Sequence, residues 1–352
     1  MPTAVVVGAQ GVIGRYLVER FAAQPGWNVI GLSRRRATDA GNVRHISVDL
    51  QNADEAVAKL GGLRDATHIL FAAFQPGSGA AADFAKNITA NRDMLVNSVS
   101  AIEAAAPELE RVVLVTGTKY YGSHLGPFRT PAREEDPRHL GPNYYFDQID
   151  WLTGFQRGKR WSWAELRPQT LCGFAPGTAM SIVPVIAVYA AISKELGLPL
   201  CFPGTPENYR AVYQCTGAEQ LAKAIAWMST EPRCANQAFN ITNGDYIRWC
   251  NLWPKFAAYF DMPLGPVRTV RLADVMADKA PVWQRIVEKY DLRPVPFESV
   301  ALWPYGDFLF TPHWDVMSST TKARQYGFAD LVDTEALFIE LLDHYRKERV
   351  LP

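Results

Sequence analysis

The feature that most constrains this chain is Gly8-Ala9-Gln10-Gly11-Val12-Ile13-Gly14, which directly follows an apolar run at residues 4–7. Placed between a strand and an amphipathic stretch, three glycines at this spacing build a turn against which a dinucleotide can lie. Gly8 permits the tight turn, Gly11 lets backbone approach a pyrophosphate with no Cβ in the way, and Gly14 lets a helix pack closely on a strand. The helix that follows turns its unpaired N–H groups and the positive end of its dipole toward the phosphates. Gly8, Gln10, Gly11, Val12, Ile13 and Gly14 are therefore candidate cofactor contacts. The spacing is G-x-x-G-x-x-G, a variant of the commoner G-x-G-x-x-G.

The pattern beyond the turn agrees with it. Short apolar runs at residues 28–32, 43–48, 68–72, 112–116 and 164–167 read as further strands. Amphipathic stretches at 17–23, 53–60, 81–106 and 146–156 read as helices between them. Valine-rich runs without polar alternation are what a parallel sheet covered on both faces requires. The predicted fold class is α/β: a Rossmann, doubly wound parallel sheet built from right-handed β-α-β units. Beyond residue 175 tryptophan and proline become dense, and only residues 216–229 and 238–241 resume the helix–strand pattern. The expected division is residues 1–173 plus about 208–242 in the dinucleotide-binding domain. About 174–207 plus 243–352 would form a smaller, mostly helical substrate-binding lobe.

Charge decides the class of partner. Lys+Arg and Asp+Glu each number 36, so the chain carries no net charge, and a polyanion such as nucleic acid is not the expected partner. The longest apolar stretch, 182–192, is too short to span a bilayer and is interrupted by Pro184 and Tyr189. Nothing at the start resembles a secretory signal, and the five scattered cysteines form no C-x-x-C pair. A cytoplasmic protein with no membrane association and no metal is expected, and a homodimer is left open. The end of the second strand narrows the cofactor further. Ser33 is followed by Arg34-Arg35-Arg36, with no carboxylate where one would hold a ribose 2′-hydroxyl. A guanidinium there suits a 2′-phosphate, so NADPH is expected over NADH, with Ser33, Arg34 and Arg35 as contacts. Asp49 and Leu50 close the third strand, where Asp49 faces either an adenine amino group or a helix cap.

Two further segments bear on chemistry. The fifth strand runs into Thr116-Gly117-Thr118-Lys119, placing a lysine at the carboxyl edge of the sheet, where ligands bind in this architecture. Pro142-Asn143-Tyr144-Tyr145-Phe146-Asp147 then opens a helix at the same crevice. The Tyr-x-x-x-Lys dyad of ordinary short-chain dehydrogenases is absent, since Gln148 and Ile149 stand four residues after the two tyrosines. With its T-G-x-K segment and a reordered N-F-Y-Y-D segment, the chain resembles the progesterone 5β-reductase/iridoid synthase (PRISE) family, an atypical extended branch of the short-chain dehydrogenase/reductases. Arg167-Pro168 with Gly173, Val188-Tyr189-Ala190-Ala191-Ile192, Ala238-Phe239-Asn240, Pro281-Val282-Trp283 and Gly327-Phe328 extend the resemblance over nearly the whole chain.

The resemblance implies NADPH-dependent reduction of the activated C=C bond of an enone or enal. Tyr145, aligned on Asn143 and Asp147, would hydrogen-bond the developing enolate oxygen. Lys119 would lower the Tyr145 pKa or hold the nicotinamide ribose. Thr116, Lys119 and Tyr145 join the cofactor contacts. A small apolar substrate is expected, with Tyr144, Phe74, Met180, Tyr189, Phe202 and Trp314 as candidate walls. The alternatives are a carbonyl reductase using the same pair, a non-catalytic NADPH-sensing regulator, and a sugar-nucleotide epimerase, which would want the missing dyad.

Overall fold

The computed structural model describes residues 1–75, 87–176 and 181–352. Its centre is a sheet of seven parallel strands: β1 Thr3–Val7, β2 Asn28–Ser33, β3 Val43–Ser47, β4 His68–Phe71, β5 Arg111–Val115, β6 Ser162–Pro168 and the edge strand Gln237–Ile241. Across the sheet the order runs from that edge strand through β6, β5, β4 and β1 to β2 and β3. The direction of winding reverses at β1, between β4 and β2, and the chain leaves these strands in opposite directions. That divergence opens a crevice at their carboxyl ends. β1 and β4 are buried at every residue, so their apolar runs need no alternation. The edge strand β3, reading Val-Arg-His-Ile-Ser, stays partly exposed.

Helix α1 (Val12–Ala22) and the helix Ala218–Thr230 cover one face through Leu17, Phe21, Leu221 and Ile225. α2 (Ala53–Leu60), α3 (Ile88–Ala105) and α4 (Tyr144–Gln156) cover the other through Leu60, Leu95, Val99, Ile149 and Leu152. The third helix expected over 81–106 is described from Ile88 onward.

A separate core gathers around α5 (Ile182–Glu195), buried at every position from Ile182 to Ser193. A helix apolar all round must be enclosed, and Trp249, Trp253, Phe256, Trp303, Phe310 and Tyr345 belong to the cluster that encloses it. Pro184 falls in the first turn of α5, where its missing N–H removes no helical bond. A short parallel pair, Leu171–Cys172 with Thr216–Gly217, lies beyond β6, where the chain passes from the sheet toward this core. Ala323, Tyr326 and Phe328 return to the sheet side, where Tyr326 meets Phe239 edge-on at 5.2 Å and Phe328 stacks on Trp227 at 5.3 Å. Among the described residues no helix is long and apolar enough to cross a membrane.

Candidate active site

The glycine-rich turn folds on backbone bonds. Gly8 and Ala9 both donate to the Leu32 carbonyl at 3.0 Å, and Gly11 donates to the Gly8 carbonyl at 2.9 Å. Gly8 sits at φ +90°, a left-handed conformation that favours glycine, and a Cβ there would lie 2.9 Å from the Ala73 backbone. A Cβ on Gly14 would lie 2.1 Å from the Gly8 carbonyl oxygen, so α1 reaches the turn only because Gly14 has none. Gly11 differs. Its φ of −79° suits any residue, and its nearest obstacle would be 3.3 Å away. α1 starts on Gly11 with no side chain capping it and no acidic residue in its first turn. Its first N–H groups therefore remain open to an anion, which is the fit a pyrophosphate requires.

The loop after β2 is tied to the turn. Gln10 Nε2 donates to the Arg35 and Arg36 carbonyls at 3.2 and 3.1 Å, and Arg35 Nη2 donates back to the Gln10 carbonyl at 3.2 Å. Ser33 Oγ donates to the Arg35 carbonyl at 2.5 Å, and Ser47 Oγ to the Arg34 carbonyl at 2.9 Å. The two guanidinium groups remain on the exposed lip of the crevice. Asp49 lines the same space while its carboxylate accepts the Gln51 N–H at 3.0 Å; Asn52 is the residue that caps α2.

Lys119 and Tyr145 arrive from different elements. β5 ends at Val115, and a single helical turn, Thr118–Tyr121, carries Lys119 over the carboxyl edge of the sheet. Tyr145 stands in the first turn of α4. Asn143, itself buried, fastens the two segments together. Its Oδ1 accepts the Tyr145 N–H at 3.0 Å, and its Nδ2 donates to the Lys119 carbonyl at 3.0 Å. A Cβ on Gly117 would come within 3.1 Å of the Tyr145 hydroxyl, so this glycine leaves room for the phenol at the end of β5. The Lys119 ammonium lies 4.4 Å from the centre of the Phe308 ring. Burial lowers Lys119 to about 7 and raises Tyr145 to about 12. The phenol thus stays neutral at physiological pH. Its expected lowering by Lys119 is not found, because burial, with the charge of Glu165, outweighs the Tyr144 hydrogen bond that pulls it the other way.

Behind this edge lies a polar network that the sequence did not reveal. Glu165 and Arg167 form a buried ion pair at 2.8 Å, with side chains 1% and 4% exposed. Thr116 Oγ1 donates to Glu165 at 2.7 Å, Arg167 donates to the Tyr121 hydroxyl at 3.0 Å, and Tyr121 donates to Asn240 at 2.7 Å. Thr116 is thus fixed from beneath while it lines the crevice. No pattern of spacing announces such a network, because its members come from the residue after β5, from β6, from the edge strand and from the helical turn at 118–121.

A cavity of about 1060 Å³ joins these groups. It is lined by Gly8, Gln10, Gly11, Val12, Ile13, Ser33, Arg34, Arg35, Asp49, Leu50, Thr116, Lys119 and Tyr145, and by Tyr144 and Phe74 among the expected wall residues. Gly14 lies behind the turn, where its role is packing. Tyr144 stacks against Phe74 at 5.7 Å. Three wall expectations are corrected. Tyr189 donates to the Cys201 carbonyl at 3.1 Å, Phe202 is fully buried among Tyr209, Trp253 and Phe310, and Trp314 packs on the α5 core. All three serve the interior of the lobe, not the cavity. Met180 lies outside the described residues. The roof comes instead from the segment at 302–316, through Leu302, Pro304, Tyr305, Phe308, Leu309, Pro312 and Val316, with Tyr213 beside it. Among the described residues no group of three or more potential metal ligands occurs.

A doubly wound sheet, an open helix N-terminus over a glycine turn and a tyrosine–lysine edge define an oxidoreductase of the short-chain dehydrogenase/reductase type. The chain belongs to the PRISE-like Rossmann-fold domain family, matched over residues 45–352. It is 32% identical to a short chain dehydrogenase of Penicillium aethiopicum, covering 99% of both chains. It is 31% identical to an (S)-8-oxocitronellyl enol synthase of Nepeta cataria (99% of this chain, 91% of the relative). It is also 31% identical to a 3-oxo-Delta(4,5)-steroid 5-beta-reductase of Arabidopsis thaliana (99% of this chain, 93% of the relative). Among solved structures, a Thermus thermophilus UDP-glucose 4-epimerase in complex with NAD aligns with a TM-score of 0.65 at 18% identity, covering 98% of this chain and 99% of that one. At that identity only the fold is shared.

Proposed function

We propose that this protein reduces the activated C=C bond of small, largely apolar enones or enals, using NADPH. The observation that carries it is the convergence of Tyr145 and Lys119 at the end of β5, in one cavity that runs from the glycine turn to an apolar roof. Relatives named for enol synthesis and for 5-beta reduction of a 3-oxo-steroid support it. Gly8, Gln10, Gly11, Val12 and Ile13 would hold the pyrophosphate, and Ser33, Arg34 and Arg35 the 2′-phosphate. Asp49, Leu50 and Thr116 would line the rest of the cofactor's path. Bound NADPH would supply hydride to the substrate's β-carbon.

Tyr145 donates a hydrogen bond to the carbonyl oxygen, strengthening as negative charge builds there, and its neutrality makes it a donor over the whole physiological range. Lys119, close to half-charged at neutral pH, contributes a polar contact to the ribose side of the site. Phe308 and the roof exclude water from the developing enolate. The proposed lobes are residues 1–173 with about 208–242, and about 174–207 with 243–352, the second sending Ala323, Tyr326 and Phe328 back onto the sheet side. The five free thiols are in keeping with the cytoplasm.

The test is turnover of 2-cyclohexenone with NADPH. Saturated ketone is the expected product; allylic alcohol would make the protein a carbonyl reductase, and no turnover with intact NADPH binding would make it a sensor. In Tyr145→Phe, NADPH still binds and turnover falls about a hundredfold or more, the usual loss of an oxyanion donor.

A further inference from the structure

Both hydrogens of the buried Asn143 amide are used. One goes to the Lys119 carbonyl, and the other goes to His139 Nε2 at 3.2 Å. His139 lies in the loop that joins the 118–121 turn to α4. The fold makes room for it: Gly122 sits at φ +81°, and a Cβ there would stand 2.9 Å from the His139 Cβ. The ring lies 5.1 Å from that of Phe146 on α4, and His124 meets it edge-on at 5.3 Å. Its partners fix its protonation. A carbonyl only accepts, so Nδ1, 2.8 Å from the Leu140 carbonyl oxygen, carries the proton. An amide NH₂ only donates, so Nε2 offers its lone pair. Asn143 cannot invert to suit a different ring, because Oδ1 would then face the Lys119 carbonyl and Nδ2 the Tyr145 N–H. A proton on Nε2 therefore sets donor against donor at the residue that joins the two segments.

The ionisable groups around the ring are His124 on its own loop and Lys119 and Tyr120 on the preceding turn. Arg138 is the neighbour in sequence, and α4 brings Asp147 and also Asp150, which holds Arg138 at 2.6 and 2.8 Å. Burial, with the charges of Lys119 and His139, pushes His124 down to about 3, so it stays neutral across the pH range in which histidines ordinarily ionise. We propose that His139, neutral and protonated at Nδ1, is a positioning residue: through Asn143 it holds the segments of Lys119 and Tyr145 together, and its protonation loosens them. This rests on the reductase reading above.

Two variants separate the roles. In His139→Gln the new amide can accept from Asn143 and donate to the Leu140 carbonyl, yet it does not titrate. His139→Phe fills the space and does neither. With 2-cyclohexenone and NADPH at pH 8, His139→Phe should lose about tenfold in kcat with the KM for NADPH unchanged, and His139→Gln should stay within about twofold of the wild type. On acidification to pH 5 the wild type should lose about tenfold more kcat than His139→Gln, the shared part of the fall belonging to Lys119. Wild-type kcat in His139→Phe, equal losses in both variants, or identical pH profiles for wild type and His139→Gln each overturn the inference. The tautomer needs no turnover. In a long-range ¹H–¹⁵N spectrum, assigned by the signal that His139→Gln removes, His139 should be the Nδ1–H form at pH 8, giving way to imidazolium as kcat falls. An Nε2–H form with normal turnover rejects this inference alone, whereas a wild type that reduces no enone rejects the reductase itself.

Discussion

Gly11 and Gly14 separate binding from folding, and substituting each by alanine tests the dinucleotide cradle directly. At Gly14 the new Cβ would stand 2.1 Å from the Gly8 carbonyl oxygen and 2.7 Å from the Ala9 Cα. Both obstacles are backbone, so α1 must lift away from β1 and give up part of the packing of Leu17 and Phe21. Overpacking of this kind costs about 3 kcal/mol. In a chain of 352 residues that lowers the melting temperature by about 4 °C if unfolding is cooperative. At Gly11 the nearest atom would be 3.3 Å away and φ is −79°, so Gly11→Ala folds with at most the small loss expected at an N-cap, about 0.5 kcal/mol. Its methyl group instead occupies the approach to the open N–H groups of α1. NADPH affinity should fall at least about tenfold, the effect of losing one charge-assisted hydrogen bond. Thermal melts without cofactor and fluorescence titration with NADPH read the two effects separately. If Gly11→Ala bound NADPH as the wild type does, the pyrophosphate would not lie on this turn.

Replacing Arg34 and Arg35 together with alanine should weaken NADPH about ten- to a hundredfold while leaving NADH nearly unaffected, and equal weakening of both by titration would remove the 2′-phosphate assignment. Glu165→Leu strands Arg167 in the interior and should cost about 3–5 kcal/mol by urea unfolding; a companion change of Arg167 to Met should recover much of it, and no recovery would mean the pair is not what holds this region. Lys119 gives a pH signature. Its folded value of about 7 lies below the ordinary value of 10.5, so between these pH values the unfolded chain holds a proton that the folded one has lost. Stability conferred through Lys119 therefore rises with pH across that window, being lowest below pH 7, where the charged form is buried. The stability difference between wild type and Lys119→Met should change by that sign from pH 7 to 10, and a constant difference would place Lys119 in water.

The sheet was legible because its cause is local. Residues 4–7, 28–32 and 112–116 are apolar without alternation, which only a doubly covered strand tolerates, and they appear at β1, β2 and β5 within a residue of the expected limits. The glycine turn was legible for the same reason: Gly8 is required by its positive φ and Gly14 by contacts within the turn itself. Lys119 and Tyr145 were singled out through resemblance, and the structure shows how their segments are joined, since Asn143 binds the backbone of both.

The cavity wall was not legible. Phe202, Tyr189 and Trp314 carry the same aromatic character as Tyr305 and Phe308, and nothing in their spacing separates a ring that faces its own core from one that faces a ligand. Sequence by itself determined the alternation of strand and helix and the open helix end, because short-range sterics and burial on two faces leave their mark within a few residues. Only the tertiary structure decided that the roof comes from residues 302–316, Tyr305 and Phe308 among them, and that Glu165 neutralises Arg167 beneath Thr116, because each depends on surfaces brought together from distant parts of the chain.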